Sequence, residues 1–235
     1  MGQPSTPVAL ITGAGRGIGR ATAKAFAAHG YTVVLGELLP ALGRRTEREL
    51  VRIGARAFFL RTDVADVASA RRTVRAVLRR FGRVDCLVNN AGVLCAGPLV
   101  GLSLGEIDRM LAVNLRGPLV VTQAALRVML GQRSGSIINV ASQLGKSGAA
   151  GYVTYCASKF GVVGFTEALA AELAGTGVRV WAVCPGLVDT PMARQAGFSR
   201  RERAALLSPE TVARVIVDLA TGRRRAASGA AVDVV

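Results

Sequence analysis

Thr12-Gly13-Ala14-Gly15-Arg16-Gly17-Ile18-Gly19 decides how this sequence is read. The stretch follows an apolar run, Val8–Ile11, and leads directly into a helical pattern over 16–29. Glycines at a strand–turn–helix junction let the backbone turn tightly and come close to a pyrophosphate, whose charge suits the positive end of the helix. The spacing here is G-x-x-x-G-x-G, a variant of the usual dinucleotide pattern. An acid about twenty residues further on supports the same reading: Glu37 closes the next apolar run, Val33-Val34-Leu35-Gly36.

Outward from this junction, short apolar runs alternate with longer helical patterns. Val8–Ile11, Thr32–Leu35, Ala57–Leu60, Cys86–Asn89, Ser136–Val140 and Arg179–Cys184 read as buried strands, with Ala231–Val235 a weaker seventh. Helical segments are expected near 16–29, 41–53, 66–81, 104–130, 152–174 and 209–220. Strand–helix alternation of this kind calls for a doubly wound α/β fold, a Rossmann-type parallel sheet with helices on both faces. No repeat or linker divides the 235 residues, so one domain spanning 1–235 is expected, with 1–7 as a flexible leader. Ligands of such sheets bind beyond the carboxyl ends of the strands, so chemistry is expected there.

Composition excludes several classes. Apolar residues make up 51 % and charged residues 19 %, which argues against a disordered chain. His29 is the single histidine, so a Ser-His-Asp hydrolase or a histidine-rich metal site has almost nothing to work with. Cys86, Cys95, Cys156 and Cys184 show no C-x-x-C spacing and read as small buried hydrophobes; no metal is expected. Net charge is +15, and Lys24, Lys146 and Lys159 are the only lysines among 30 basic residues. Arginine clusters, among them Arg71-Arg72, Arg79-Arg80, Arg200-Arg201 and Arg223-Arg224-Arg225, raise the question of a polyanion partner. They are dispersed along the chain with few aromatics between them, so they read as solvated helix faces and no nucleic acid is expected. No apolar run approaches the ~20 residues of a membrane span, and the start lacks the features of a signal peptide. Met1-Gly2-Gln3-Pro4-Ser5-Thr6 meets a loose myristoylation pattern, one short enough to arise by chance. The expectation is a cytoplasmic protein with no membrane partner.

At the cofactor end, the Glu37 carboxylate can accept the hydroxyls of an adenosine ribose and repels a 2′-phosphate, which favours NAD(H) over NADP(H). Arg16, Arg44 and Arg45 pull the other way, since arginine clamps phosphate; Glu37 is given the greater weight. Asp63, with Val64 beside it, follows the third strand and is placed to meet the adenine; its other role is to cap the helix that follows.

Asn89-Asn90-Ala91-Gly92, Tyr155-Cys156-Ala157-Ser158-Lys159 and Pro185-Gly186, together with 12–19, come in the order and spacing of the classical short-chain dehydrogenase/reductase family, which the chain resembles from Val8 to about Val234. The resemblance implies an oxidoreductase that transfers a hydride between a nicotinamide cofactor and a secondary alcohol or ketone. Tyr155 fits the acid/base, but a free phenol titrates near pH 10, and work near neutrality requires lowering it by roughly two to three units, about 3–4 kcal/mol. Lys159, four residues later on the same helix face, can set its ammonium beside the phenolate. In the family this lysine also holds the nicotinamide ribose. Ser142, thirteen residues before Tyr155, resembles the serine that orients the substrate oxygen; Ser147 is too close in sequence to take that part. Asn114, within the apolar helix 104–130, matches the family asparagine that supports a proton relay to the lysine. The cofactor residues implied are Gly13, Arg16, Gly17, Ile18 and Gly19 in the first turn and Asn90, Ala91 and Gly92 after the fourth strand. Pro185, Gly186, Val188 and Thr190 add to them after the sixth.

Val93, Leu94, Cys95, Gln143, Leu187 and Met192 are expected to wall a mostly apolar substrate pocket under a lid at 190–208. Arg194, Arg200, Arg201 and Arg203 on that lid, extended by Arg133, raise the idea of an acidic carrier as substrate, and with it a 3-oxoacyl-type reductase using NADPH. A non-catalytic dinucleotide-sensing protein on the same fold is the rival from another class; such proteins typically lose the tyrosine or lysine retained here. The family implies a homo-oligomer, tetramer or dimer, with helices 104–130 and 152–174 pairing across a two-fold axis. The chain departs from the family's Asp-Gly-Gly-like tail with Val232-Asp233-Val234-Val235.

Overall fold

The computed structural model describes residues 6–194 and 206–235, with Arg194 by its backbone alone. Most of the expected leader and the greater part of the lid, including Arg200, Arg201 and Arg203, lie outside the described residues. The strands are β1 Val8–Thr12, β2 Thr32–Glu37, β3 Ala57–Arg61, β4 Cys86–Asn89, β5 Gly135–Val140, β6 Val178–Pro185 and β7 Ala231–Val234. They form one sheet of order β3-β2-β1-β4-β5-β6-β7, and every pairing is parallel. The order reverses at β1, which lies between β2 and β4, and a crevice opens there at the carboxyl ends of the strands.

Alternate residues explain why the strands read as unbroken apolar runs. Ile11, Leu35, Ile138 and Trp181 join the core under α1 (Gly17–Ala28), α2 (Pro40–Arg52) and the helix Pro209–Ala220. Leu10, Val34, Ile137 and Val180 join the core on the other face, under α3 (Val67–Phe81), Gly117–Gln132 and Val153–Glu172. Both faces are covered, so neither needs polar residues.

The expected helix over 104–130 is two helices. α4 (Leu104–Leu111) and α5 (Gly117–Gln132) flank a π-helical turn, Ala112–Arg116. Pro118 supplies the reason. It has no N–H to offer the Asn114 carbonyl four residues earlier, and its ring crowds that carbonyl in a regular helix. Widening the turn, with the Gly117 N–H donating to the Ala112 carbonyl, relieves the conflict. The remaining α-helices among the described residues are α6 (Val153–Glu172), α7 (Pro191–Arg194) and α8 (Pro209–Ala220).

Two local expectations are corrected. The cap of α3 is Asp66, whose Oδ1 accepts the Ala68 N–H at 2.8 Å. Asp63 instead closes a turn onto the Ala65 N–H at 2.9 Å, because three residues still separate it from the helix. Arg133 ends α5 in a left-handed conformation (φ 52°), two residues before β5 begins. That is the amino end of the sheet, so Arg133 cannot extend a patch on the lid, which stands over the carboxyl ends.

Candidate active site

Residues 12–19 carry the chain from β1 into α1. Gly13 (φ 64°) and Gly17 (φ 51°) hold backbone angles that side chains resist. At Gly13 a Cβ would also lie 2.9 Å from the Ala91 Cα, so β1 and β4 meet here without room for a methyl group. The Asn90 side chain ties the two strand ends together, its Nδ2 donating to the Thr12 carbonyl at 2.9 Å and the Gly13 carbonyl at 3.1 Å. Thr12 Oγ1 accepts the N–H groups of Asn90 and Ala91 at 3.0 and 3.1 Å. Thr12 stands at the head of the glycine stretch, but nothing in the sequence marks its hydroxyl as the clasp between the two strand ends.

A cavity of about 930 Å³ runs from this turn along the carboxyl ends of the sheet, within the range of small-molecule sites. Gly13, Arg16, Gly17 and Ile18 line it, as do Glu37, Asp63 and Val64, then Asn90, Ala91 and Gly92. Pro185, Gly186, Val188 and Thr190 complete the side beneath α7. Gly19 is the exception. A Cβ there would stand 2.2 Å from the Gly13 carbonyl oxygen, so Gly19 serves the close packing of α1 on the turn and lies behind the lining. Cys95 likewise stays outside it, its N–H against Met110 Sδ at 3.4 Å.

Glu37 is 7 % exposed, and each carboxylate oxygen is already oriented by a backbone donor. Oε2 accepts the Gly15 N–H at 2.9 Å and Oε1 the Leu39 N–H at 3.0 Å. Each oxygen retains a lone pair for a hydroxyl arriving from the cavity. Of the three arginines that could oppose it, only Arg16 lines the cavity. The Arg44 guanidinium lies 5.8 Å from the Phe59 ring centre, and Arg45 pairs with Glu49 at 3.2 Å.

Ser142, Tyr155 and Lys159 meet in the same cavity below the glycine turn. Ser142 sits just beyond β5, and its hydroxyl hydrogen-bonds Tyr155. Lys159 Nζ donates to the Val140 carbonyl at 2.7 Å and lies 5.6 Å from the Tyr155 ring centre. Burial pushes the Tyr155 phenol up to about 12, outweighing the Ser142 hydrogen bond that lowers it. Burial also brings the Lys159 ammonium down to about 8, against a smaller opposite effect of the Cys184 sulfur. The expected depression of the tyrosine by its lysine is therefore not met in the chain by itself. The lysine is turned to a backbone carbonyl, and a poorly hydrated ammonium is itself disfavoured.

Asn114 lies behind the cavity wall, 1 % exposed, in the π-helical turn. Its Oδ1 accepts the Val93 N–H at 2.8 Å, and its Nδ2 donates to the Val93 carbonyl at 2.9 Å and to Ser158 Oγ at 3.2 Å. The Ser158 hydroxyl donates onward to the Tyr155 carbonyl at 2.7 Å. Ser158 was not singled out in the sequence, although it stands inside the Tyr155–Lys159 motif.

Val93, Leu94, Gln143, Leu187 and Met192 line the same cavity. Arg109, Tyr152 and Ser147 line it as well. Arg109 comes from the last turn of α4, and nothing in its local sequence marks it; the pairing of helices does. Leu207 bridges back to Val188, so the base of the lid is tied to the strand ends. Among the described residues no cluster of potential metal ligands occurs, and no helix is long and apolar enough to cross a membrane. All four cysteines are free, and Cys86, Cys156 and Cys184 are buried.

Comparison with known proteins agrees with this geometry. The family model "short chain dehydrogenase" matches residues 7–200. A 3-oxoacyl-(acyl-carrier-protein) reductase of Thermotoga maritima is 38 % identical over 97 % of this chain and 95 % of its own length. A galactitol 2-dehydrogenase of Agrobacterium fabrum is 40 % identical over 77 % of this chain and 70 % of its own. Among solved structures, a variant of actinorhodin polyketide ketoreductase with NADPH superposes with a TM-score of 0.93 at 35 % identity, covering 100 % of this chain and 97 % of that one. Fold, motif order and relatives agree, and the chain belongs to the short-chain dehydrogenase/reductase family, oxidoreductases that act on alcohol and ketone groups.

Proposed function

We propose that this enzyme interconverts a secondary alcohol and a ketone with a preference for NAD(H) over NADP(H), using Tyr155 as acid/base, Lys159 and Ser142 around it, and Asn114 in support. One observation carries the cofactor preference. Glu37 presents a buried, backbone-oriented carboxylate to the cavity, while Arg44 and Arg45 are engaged elsewhere. A 2′-phosphate at that position faces a fixed negative charge in a poorly hydrated wall. The side-chain-free backbone at Gly13 and Gly17 and the size of the cavity fit a dinucleotide. When bound, the nicotinamide accepts or returns a hydride.

The protein supplies the proton chemistry. In the reducing direction the neutral Tyr155 phenol donates its proton to the ketone oxygen, which the Ser142 hydroxyl holds in place. In the oxidising direction the Tyr155 phenolate takes the alcohol proton, and the Lys159 ammonium stabilises that phenolate when it turns from Val140 toward it. Leu94, Leu187 and Met192 line the cavity with apolar side chains beside the exchange. The working form is a homo-oligomer in the cytoplasm.

A second reading, reduction of a 3-oxoacyl thioester with NADPH, is supported by Arg109 in the cavity wall, a cation suited to an anionic carrier, and by the relatives named for that reaction. Parallel fluorescence titrations with NADH and NADPH separate the two. The proposal expects NADH to bind about tenfold more tightly, the equivalent of one lost charge interaction. It also expects Glu37→Gln to narrow that gap. Tighter NADPH binding by the unmodified chain overturns the preference.

A further inference from the structure

The triple Arg223-Arg224-Arg225 has no part in the catalytic reading. It lies on the loop between α8 and β7, at the amino end of the sheet. There Arg179, Arg224, Arg225, Gly222, Ala226 and Ala227 line an open concavity of about 360 Å³. All three arginines are exposed, and among the described residues no carboxylate pairs with any of them. Arg223 is drawn aside to His29, whose Nδ1–H donates to the Ala25 carbonyl at 2.8 Å, leaving Nε2 to accept from the Arg223 guanidinium.

Arg179 and the backbone of the loop are held in advance of any ligand. The Arg179 guanidinium stacks 5.1 Å from the Trp181 ring centre. Trp181 Nε1–H donates to the Ala226 carbonyl at 3.2 Å, which fixes the loop against β6. Ser228 Oγ accepts the Val180 N–H at 3.1 Å, and the Arg224 N–H donates to the Asp218 carbonyl at 2.9 Å. Arg179, Arg224 and Arg225 line one braced, small-residue concavity, and among the described residues no carboxylate pairs with any of them, which leaves a local positive charge without a counter-charge.

We propose that this concavity is a second anion site, which takes a small phosphate- or diphosphate-bearing molecule. It is separate from the catalytic cavity. β6 runs from Arg179 at this end to Pro185 at the other, six residues or roughly 20 Å of strand. Basic groups gathered around one concavity of six residues suit a compact ligand better than a nucleic-acid backbone, which needs an extended basic stripe.

Trp181 is the only tryptophan, so its emission reports on this site. Inorganic pyrophosphate is titrated at constant ionic strength, with saturating NAD⁺ present so that the glycine turn is occupied. A saturable change in emission is expected. Arg224→Ser/Arg225→Ser should weaken pyrophosphate by about tenfold or more, as loss of two charge-assisted contacts implies, while NADH binding stays intact and shows that the variant is folded. A non-saturating response, an equal response to chloride, or an unchanged midpoint in the folded variant overturns the site. Displacement of pyrophosphate by a short DNA duplex at lower phosphate concentration overturns the assignment to a small molecule.

Discussion

Lys159 shows how a residue's chemistry follows from its surroundings. In sequence it is one more base in a chain of net charge +15; in the fold it is 5 % exposed, and its ammonium is brought down to about 8 from an ordinary 10.5. Between those two values the unfolded chain holds a proton on this lysine and the folded chain does not, so this group makes folding more favourable as pH rises from about 8 to 10.5. The full effect is about 3 kcal/mol. Measured as the difference in unfolding free energy between the unmodified chain and Lys159→Met, the relative stability of the unmodified chain should climb through that window. A difference independent of pH refutes the buried ammonium. The Tyr155–Lys159 spacing announced the pair. The direction in which burial moves each group, tyrosine up and lysine down, was not legible, because no sequence pattern states how much water reaches a side chain.

At the scale of elements, the π-helical turn Ala112–Arg116 links fold to site. Apolar periodicity continues unbroken across it, and so the sequence reads as one helix from 104 to 130. Pro118 was visible, but its effect depends on the carbonyl four residues back, that of Asn114. The widened turn presents Asn114 to Val93 and Ser158, and Ser158 reaches the Tyr155 carbonyl. Pro118→Ala restores the missing N–H and lets a regular turn form. Stability should be kept, while kcat falls about tenfold through displacement of Asn114 and Ser158, a scale typical of small misplacements near a reacting centre. KM for the cofactor should hold. Steady-state kinetics with a thermal unfolding control reads this, and an unchanged kcat separates the turn from catalysis.

The whole molecule is a sheet packed on both faces, and adjacent residues of one strand belong to different cores. Ile137 packs beneath α3, α5 and α6, and Ile138 beneath α1, α2 and α8; both are fully buried. Ile137→Ala and Ile138→Ala should each cost about 3 kcal/mol, the ordinary penalty for such a cavity, as read by denaturant unfolding. A one-sided sheet would show one costly change and one nearly neutral. That strand–helix alternation, the glycine turn, Glu37 and the Tyr155–Lys159 motif were legible in the sequence follows from their local character. Each rests on spacings within one or two neighbouring elements that act through backbone geometry or one helix face. What joined Asn114 to Val93, brought Arg109 to the cavity, turned Gly19 from a lining residue into a packing one and sent Arg133 to the far end of the sheet was the order of the strands and the pairing of helices across it. Those are contacts between distant parts of the chain, fixed by burial of apolar surface over the whole domain, and only the tertiary structure decides them.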